Sequence, residues 1–364
     1  MPTNDDQTAS DPRRGWGRWS RRITMSLMSV ATAGLAGSVL AGCSASQSQA
    51  GPSPAKTPPD AAVASSVTAA DAGLPPFYVI ASQGAPNGLQ VRSSATGKLI
   101  STVTSPGTCM PATYQVAAAG NDRDFVFSCL SLTSRKNEYY RLQLSPRGAV
   151  ARLTSLPIAP ISSTVVTGLA VTPDGRKLAI GLTSSAGQHA TVEVVTLASG
   201  AIRSWTAHMD RPTQLTWVNN GRELGFWSWG LRELDVNAAG GNLASARLIS
   251  RMAHSKVFVE DALLSPDGTT VMAEVDYQLP RGTRPTKTTV IGGIAEMSAT
   301  TGKMLRLFIP QHVQGNSVYP CQLGPIDASG HHLLAGCTQF DRIDWGRVTP
   351  LAGNDIQSEF SGAW

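Results

Sequence analysis

Four cysteines and two recurrent carboxylates carry the spacings in this 364-residue chain that most plainly imply chemistry. Cys109 and Cys129 lie symmetrically about residue 119, beside the turn-forming pair Gly120-Asn121, and Cys321 and Cys337 lie symmetrically about Ser329. Residues equidistant from a tight turn face each other across a hairpin. The spacing therefore predicts two disulfides, Cys109–Cys129 and Cys321–Cys337, formed in an oxidising compartment. A zinc site would call for Cys-x-x-Cys spacing and a neighbouring histidine, and the first pair has neither. Asp174 and Asp267 each sit in a Pro-Asp-Gly phrase. An aspartate there bonds its own backbone and leads into a glycine at positive φ, which is a turn role; a catalytic ring would be broken by Asn220 and Ser329 at the matching points. Of the six histidines only His331 and His332 are adjacent. Neighbours in a strand point to opposite faces, so a solvated or capping role is preferred to joint metal ligation. Gly-x-Ser-x-Gly, His-Glu-x-x-His, the phosphate-cradling loop and the dinucleotide fingerprint do not occur. No catalytic residue, metal or cofactor is nominated.

Two weaker constellations stand beside these. Trp227 and Trp229 are two apart on an expected strand and so share a face, with Trp217 on the strand paired to it. Together they could offer a platform to a sugar ring or an apolar peptide. Filling the wedge between twisted sheets is the preferred reading, under which Trp227→Ala and Trp229→Ala each lower the melting temperature. Glu260, Asp261 and Glu274 are the carboxylates an enzyme would place in a central channel, although their spacing does not set them apart from solvated residues.

The elements that must position these residues are strands. Short runs rich in Val, Leu, Ile and Ala flank Pro173-Asp174-Gly175 and Pro266-Asp267-Gly268, and degraded versions surround Asn219-Asn220-Gly221 and Ala328-Ser329-Gly330. These inner turns fall near 121, 174, 220, 267 and 329. A second, glycine-bearing outer turn recurs at Thr96-Gly97-Lys98, Pro146-Arg147-Gly148, Ser199-Gly200, Gly240-Gly241 and Thr301-Gly302-Lys303. A period of roughly 50 residues with several strands per unit describes an all-β, single β-propeller. The first unit lacks its innermost strand, and a closed ring cannot leave that edge unpaired. The C-terminal run ending in Ala363-Trp364 resembles the inner strand Thr213-Gln214-Leu215-Thr216-Trp217, so six blades are predicted, closed by pairing of the tail with Phe77 to Ser82. Seven blades is the alternative, since the long interval from Asp267 to Ser329 has room for a further short unit.

The N-terminus reads as an export signal over residues 1–42. Arg13, Arg14, Arg18, Arg21 and Arg22 precede an apolar, small-residue stretch, and Leu40-Ala41-Gly42-Cys43 follows. That last phrase resembles the lipobox of bacterial lipoproteins. The resemblance implies lipidation of Cys43, with acyl chains such as palmitate, and anchorage on the outer face of the cell membrane; an uncleaved signal anchor is the alternative. Ser20-Arg21-Arg22 also resembles a twin-arginine export signal, and ordinary secretion is weighed equally. Residues 43–75 contain Pro52, Pro54, Pro58 and Pro59 but no aromatic residue, and read as the lipidated Cys43 followed by a disordered tether reaching on the order of 30 Å. Residues 76–364 form the propeller domain. Residues 1–43 hold five Arg and three Asp, so the remainder carries 25 basic and 22 acidic residues, a balance that does not call for nucleic acid.

From Phe77 to Trp364 the chain resembles WD-repeat-like and Tol-associated periplasmic propellers, through Val171-Thr172-Pro173-Asp174-Gly175-Arg176-Lys177-Leu178-Ala179 and Leu264-Ser265-Pro266-Asp267-Gly268. It is similar also to a group of exported or membrane-tethered propellers of high-GC Gram-positive bacteria with no assigned activity, through Phe77-Tyr78-Val79, Arg92-Ser93-Ser94-Ala95-Thr96-Gly97-Lys98 and Gly230-Leu231-Arg232-Glu233-Leu234-Asp235. The Trp-Asp dipeptide of true WD repeats is missing. The expected function is a membrane-anchored binding scaffold presenting a propeller face to a protein or a cell-envelope polymer; a lyase or glycoside-active propeller with channel carboxylates is the alternative.

Overall fold

The Pro-Asp-Gly phrases turn the chain for the reason their chemistry suggests. Asp174 Oδ1 accepts from Thr172 Oγ1 (2.6 Å) and from the Arg176 amide (3.0 Å), while Gly175 sits at φ +69°. Asp267 repeats this with Ser265 and the Thr269 amide, and Gly268 lies at φ +75°. In the last unit the roles are exchanged. The carboxylate is Asp327, two residues earlier, and it accepts from the amides of His331 and His332 (both 2.9 Å), with Ser329 bonded to it. Asn219 and Asn220 reach positive φ themselves, as short amide side chains can, and Asn219 Nδ2 donates to Glu223.

This computed structural model describes residues 73–364 except 83–87, 105, 107–108, 111–112, 160, 163, 185–186, 188, 251–256, 280–285, 287–288, 313–320, 337–338, 345–346 and 356–360. The expectations for residues 1–42 and 43–75, Cys43 included, lie outside the described residues. The strands build six antiparallel blades, each with strands A to D from the channel outwards. The A strands are Gly362–Ala363, Gln115–Ala118, Thr164–Val171, Thr213–Val218, Val257–Leu264 and Gln322–Ile326 for blades 1 to 6. The D strands are Leu99–Thr104, Val150–Ser155, Ile202–Ala207, Arg247–Ser250, Met304–His312 and Arg347–Asp355. The interval from 267 to 329 holds long strands, Val290–Ser298 and Met304–His312, rather than a seventh blade. A–B and C–D turns share one end of the blades, here the turn end; B–C loops and the connections between blades share the other, the open end. Among the described residues no helix is long and apolar enough to cross a membrane.

The core lies between the blades. Period-two alternation sends Phe226 into a cluster with blade 3 residues such as Trp205, and its neighbour Trp227 into one with Leu264 and Val275 of blade 5. Each fully buried side chain of that size contributes roughly 1.5–3 kcal/mol.

Ring closure follows the expected route. Ala363 pairs with Val79 and Gly362 with Ile80, and the Ala81 amide donates to the Ser361 carbonyl at 2.8 Å. Trp364 is 3% exposed, stacks obliquely on Tyr78 at 5.8 Å, and donates from Nε1 to the Pro325 carbonyl of blade 6 (3.0 Å). Behind it lies a buried polar network that the spacing of the chain did not announce. His332 Nδ1 is 2.7 Å from Asp344 Oδ1, and Arg342 holds the other oxygen (2.9 Å) while donating to the Ser94 carbonyl of blade 1 (3.0 Å). His332 is thus a buried member of the blade 6–blade 1 seam, not a solvated or capping residue.

Two local expectations need correction. Gly240-Gly241 is not a tight outer turn; residues 236–246 form a strap in which Gly241–Asn242 pair in parallel with Trp205 and Thr206 of blade 3, giving that blade a fifth strand. The disulfide Cys109–Cys129 is present, with Cα atoms 5.5 Å apart, but Cys109 precedes strand A of its blade and meets the blade just past strand B, through an isolated bridge to Ser131. Cys321 is disulfide-bonded, and the ladder beside it pairs Gln322 with Gly336, the register that a Cys321–Cys337 bond requires. Cys337 itself lies outside the described residues.

Candidate functional site

At the open end the repeat stops being regular. In blades 3, 4 and 5 strand A bulges at the same step, four residues before its last: Thr167 is skipped between Gly168↔Gly181 and Val166↔Leu182, one residue is gained between Thr213 and Thr216, and Glu260 is skipped between Val259 and Asp261. A bulge re-aims side chains at the edge of a ladder, and strand A lines the channel of a propeller. The three bulges thus turn Thr167, Gln214 and Glu260 out of the regular pleat. Gly181 permits the close approach this needs, since a Cβ there would lie 2.8 Å from the Pro212 carbonyl, which accepts from Thr167 Oγ1 at 2.6 Å.

Gln214 is the centre of the arrangement. Its backbone is left-handed, φ +50°, a conformation that costs a residue with a side chain roughly 1–3 kcal/mol and survives where the surroundings impose it. From there Nε2 donates to Asp261 Oδ2 of blade 5 (2.8 Å) and to the Leu323 carbonyl of blade 6 (3.1 Å). Asp261 Oδ1 also accepts from Thr213 Oγ1 and from the Ala262 amide (both 3.1 Å). Burial pushes Asp261 up to about 6, against the opposing pull of these hydrogen bonds and of the Arg211 charge. Glu274 stands opposite Asp261 in the ladder and Glu260 is exposed beside it. The three carboxylates that the sequence singled out thus lie on the two paired inner strands of one blade.

The tryptophans separate. Trp217 is buried between blades 3 and 4, its Nε1 donating to the Ala170 carbonyl (3.0 Å), and Trp227 is buried on the opposite face of blade 4. Trp229 is 81% exposed. The strand ends at Trp227, and Trp229 occupies the following turn at φ +50°, so the three do not form one platform. That turn is tied down by Ser228, whose amide donates to the Gly230 carbonyl (2.9 Å) and whose Oγ donates to the Asp210 carbonyl (2.8 Å). The backbone that carries the indole is thereby tied to the segment Asp210-Arg211-Pro212 that leads to Gln214. Sequence reasoning missed Gln214 and Arg211; the signal available was the break in strand patterning at Arg211-Pro212.

A second polar cluster lies under the strap, in a cavity of about 340 Å³ lined by Trp205, Asp235, Asn242 and Ser245 among others. There Glu223 and Glu233 share a hydrogen bond. It holds Glu223 low, and Asn219 assists; burial and the same bond push Glu233 up, with Arg247 paired to it. Among the described residues no group of three or more His, Cys, Asp or Glu side chains could hold a metal ion.

No protein-family model matches the chain, and comparison with curated proteins finds no match. Solved structures do resemble it. TolB from Acinetobacter baumannii is a β-propeller. It is 14% identical at a TM-score of 0.48, over 79% of this chain and 65% of that one. Hydrazine synthase of Kuenenia stuttgartiensis is 14% identical at a TM-score of 0.46, over 71% of this chain and 70% of that one. Prolyl oligopeptidase B of Galerina marginata is 9% identical at 0.43, over 74% of this chain and 39% of that one. The chain thus spans less than two thirds of the TolB and oligopeptidase chains, and at such identities a likeness of backbone course carries no ligand or activity with it.

Proposed function

We propose that this protein is a membrane-anchored, extracytoplasmic binding module whose open end, around Trp229 and the Gln214–Asp261 channel mouth, engages a protein or a cell-envelope polymer. The carrying observation is Trp229: a large aromatic side chain 81% exposed, in a left-handed turn braced on both sides. Folding gains nothing from that exposure, whereas an exposed indole carried on a braced turn is the composition of an interface anchor. Anchorage through Cys43 is supported by the lipobox-like phrase alone. The test is recovery of the full chain from cell envelopes with its bound material after cross-linking. The reading expects Trp229→Ala to abolish recovery of bound material and Cys43→Ala to release the chain from membranes once signal cleavage is verified.

Asp261 favours a second reading, a glycoside-active or lyase propeller, because a channel carboxylic acid pushed up to about 6 is suited to proton transfer near neutrality. Its oxygens already accept three hydrogen bonds from the protein, which favours a positioning role. Turnover of envelope polysaccharide by the wild type and none by Asp261→Asn would decide for the enzyme.

A further inference from the structure

The blades carry a repeated feature where their outermost strands begin, at the end away from Trp229. At or beside each C–D connection stands one exposed cation: Lys98, Arg147, Arg203, Arg247, Lys303 and Arg347 in blades 1 to 6. Within three residues of it, at the first or second position of strand D, blades 1 to 5 expose an aliphatic side chain: Leu99 (52%), Val150 (39%), Ile202 (41%), Leu248 (36%) and Leu305 (54%). Edge strands ordinarily avoid exposed aliphatic residues, because an apolar edge invites pairing with other chains. Here the residue recurs at the start of strand D with a cation beside it.

The A–B turns of the same end add exposed Arg123, Arg176 and Arg222. Against these nine cations the described residues of that end expose three carboxylates, Asp174, Asp235 and Asp267, with Asp122 and Glu223 half-buried; Asp174 lies 3.7 Å from Arg176, and Arg247 is paired with the buried Glu233. A basic surface with interleaved aliphatic side chains is what an anionic bilayer attracts: the charges act at the headgroups and the short apolar groups enter the boundary beneath them.

We propose that the turn end of the propeller docks on an anionic lipid surface through its ring of cations and aliphatic side chains. The surface is distinct from the channel mouth, and docking here requires no acyl group on Cys43, so this inference and the binding-module reading stand or fall separately. It directs the open end, with Trp229 and Gln214, away from the bilayer.

The test uses the full chain reconstituted in vesicles of phosphatidylcholine alone or with about 30 mol% phosphatidylglycerol, and follows amine acylation of single lysines by mass spectrometry. Lys136, exposed at the open end, is the internal control. Docking predicts that Lys98 and Lys303 label roughly tenfold more slowly on anionic than on neutral vesicles, that Lys136 does not change, and that salt shortening the Debye length to about 3 Å removes the protection. Arg147→Glu/Arg247→Glu and, separately, Leu99→Ser/Leu305→Ser should restore most labelling at Lys303 or Lys98. Equal labelling on both vesicles, equal protection of Lys136, or protection retained in both double variants would overturn the proposal. Protection of the same size on neutral vesicles with added polyphosphate would also overturn it, assigning the surface to a soluble polyanion. Loss of membrane attachment in Cys43→Ala bears on the anchor alone.

Discussion

The two ends of the blades follow different rules. At the turn end each A–B hairpin of blades 2 to 6 closes on a carboxylate or amide side chain and a residue at positive φ, and Asp174, Asp267 and Asp327 do interchangeable work. At the open end the inner strands bulge, Gln214 and Trp229 are held in left-handed conformations without being glycine, and one carboxylate is pushed up by burial. Positive φ that repeats is met by glycine or by short Asn and Asp side chains; on a long side chain such as Gln214 it marks a place where the fold serves something besides itself. Blade 4 shows the contrast within a few residues. Its Trp217 is sealed between sheets with its indole nitrogen satisfied, and its Trp229 is sealed from nothing.

Substitutions can break that comparison or sharpen it. Trp217→Ala should cost the most, about 3–5 kcal/mol in denaturant unfolding, because it opens a cavity between blades 3 and 4 and leaves the Ala170 carbonyl unpaired. Removing the Cys109–Cys129 bond by Cys129→Ala should cost about 3 kcal/mol, the loop-closure value for a separation of 20 residues. Asp261→Asn tests the channel mouth through pH. Because the folded protein holds the Asp261 proton more tightly than the unfolded chain does, this group's contribution is complete below about pH 4 and lost as pH rises through about 6. The wild type should therefore lose about 2 kcal/mol relative to Asp261→Asn between pH 4 and 7.5, measured as the difference of their unfolding free energies. The smallest effect belongs to Trp229→Ala, within about 0.5 kcal/mol of wild type. A cost similar to that of Trp217→Ala would erase the distinction between the two ends.

The regular part of the molecule was legible because its turns are local. Pro-Asp-Gly and the glycine-bearing outer turns dictate backbone conformation within a few residues, so six blades and the tail-to-Phe77 clasp followed from counting. What counting missed depends on partners far apart in the chain. His332 is buried because Asp344 and Arg342 meet it at the seam, and Gln214 matters because Asp261 and Leu323 lie within its reach. Trp229 was placed on a strand by its spacing from Trp227, but the strand ends first, and period two holds only while pairing lasts. The strap at 236–246 replaced a tight turn whose two glycines looked sufficient, because Gly241 and Asn242 find an unpaired edge on blade 3. Asp327 escaped notice since a carboxylate two residues early satisfies the same amides as a threonine or serine.

The central claim is that Trp229 is exposed for binding rather than left over from folding. Thermal unfolding and recovery of cross-linked envelope material, measured on the same preparations of wild type and Trp229→Ala full-length protein, test it together. The account predicts superimposable melting curves and loss of the bound material; undiminished recovery, or a melting temperature that falls along with it, would contradict it.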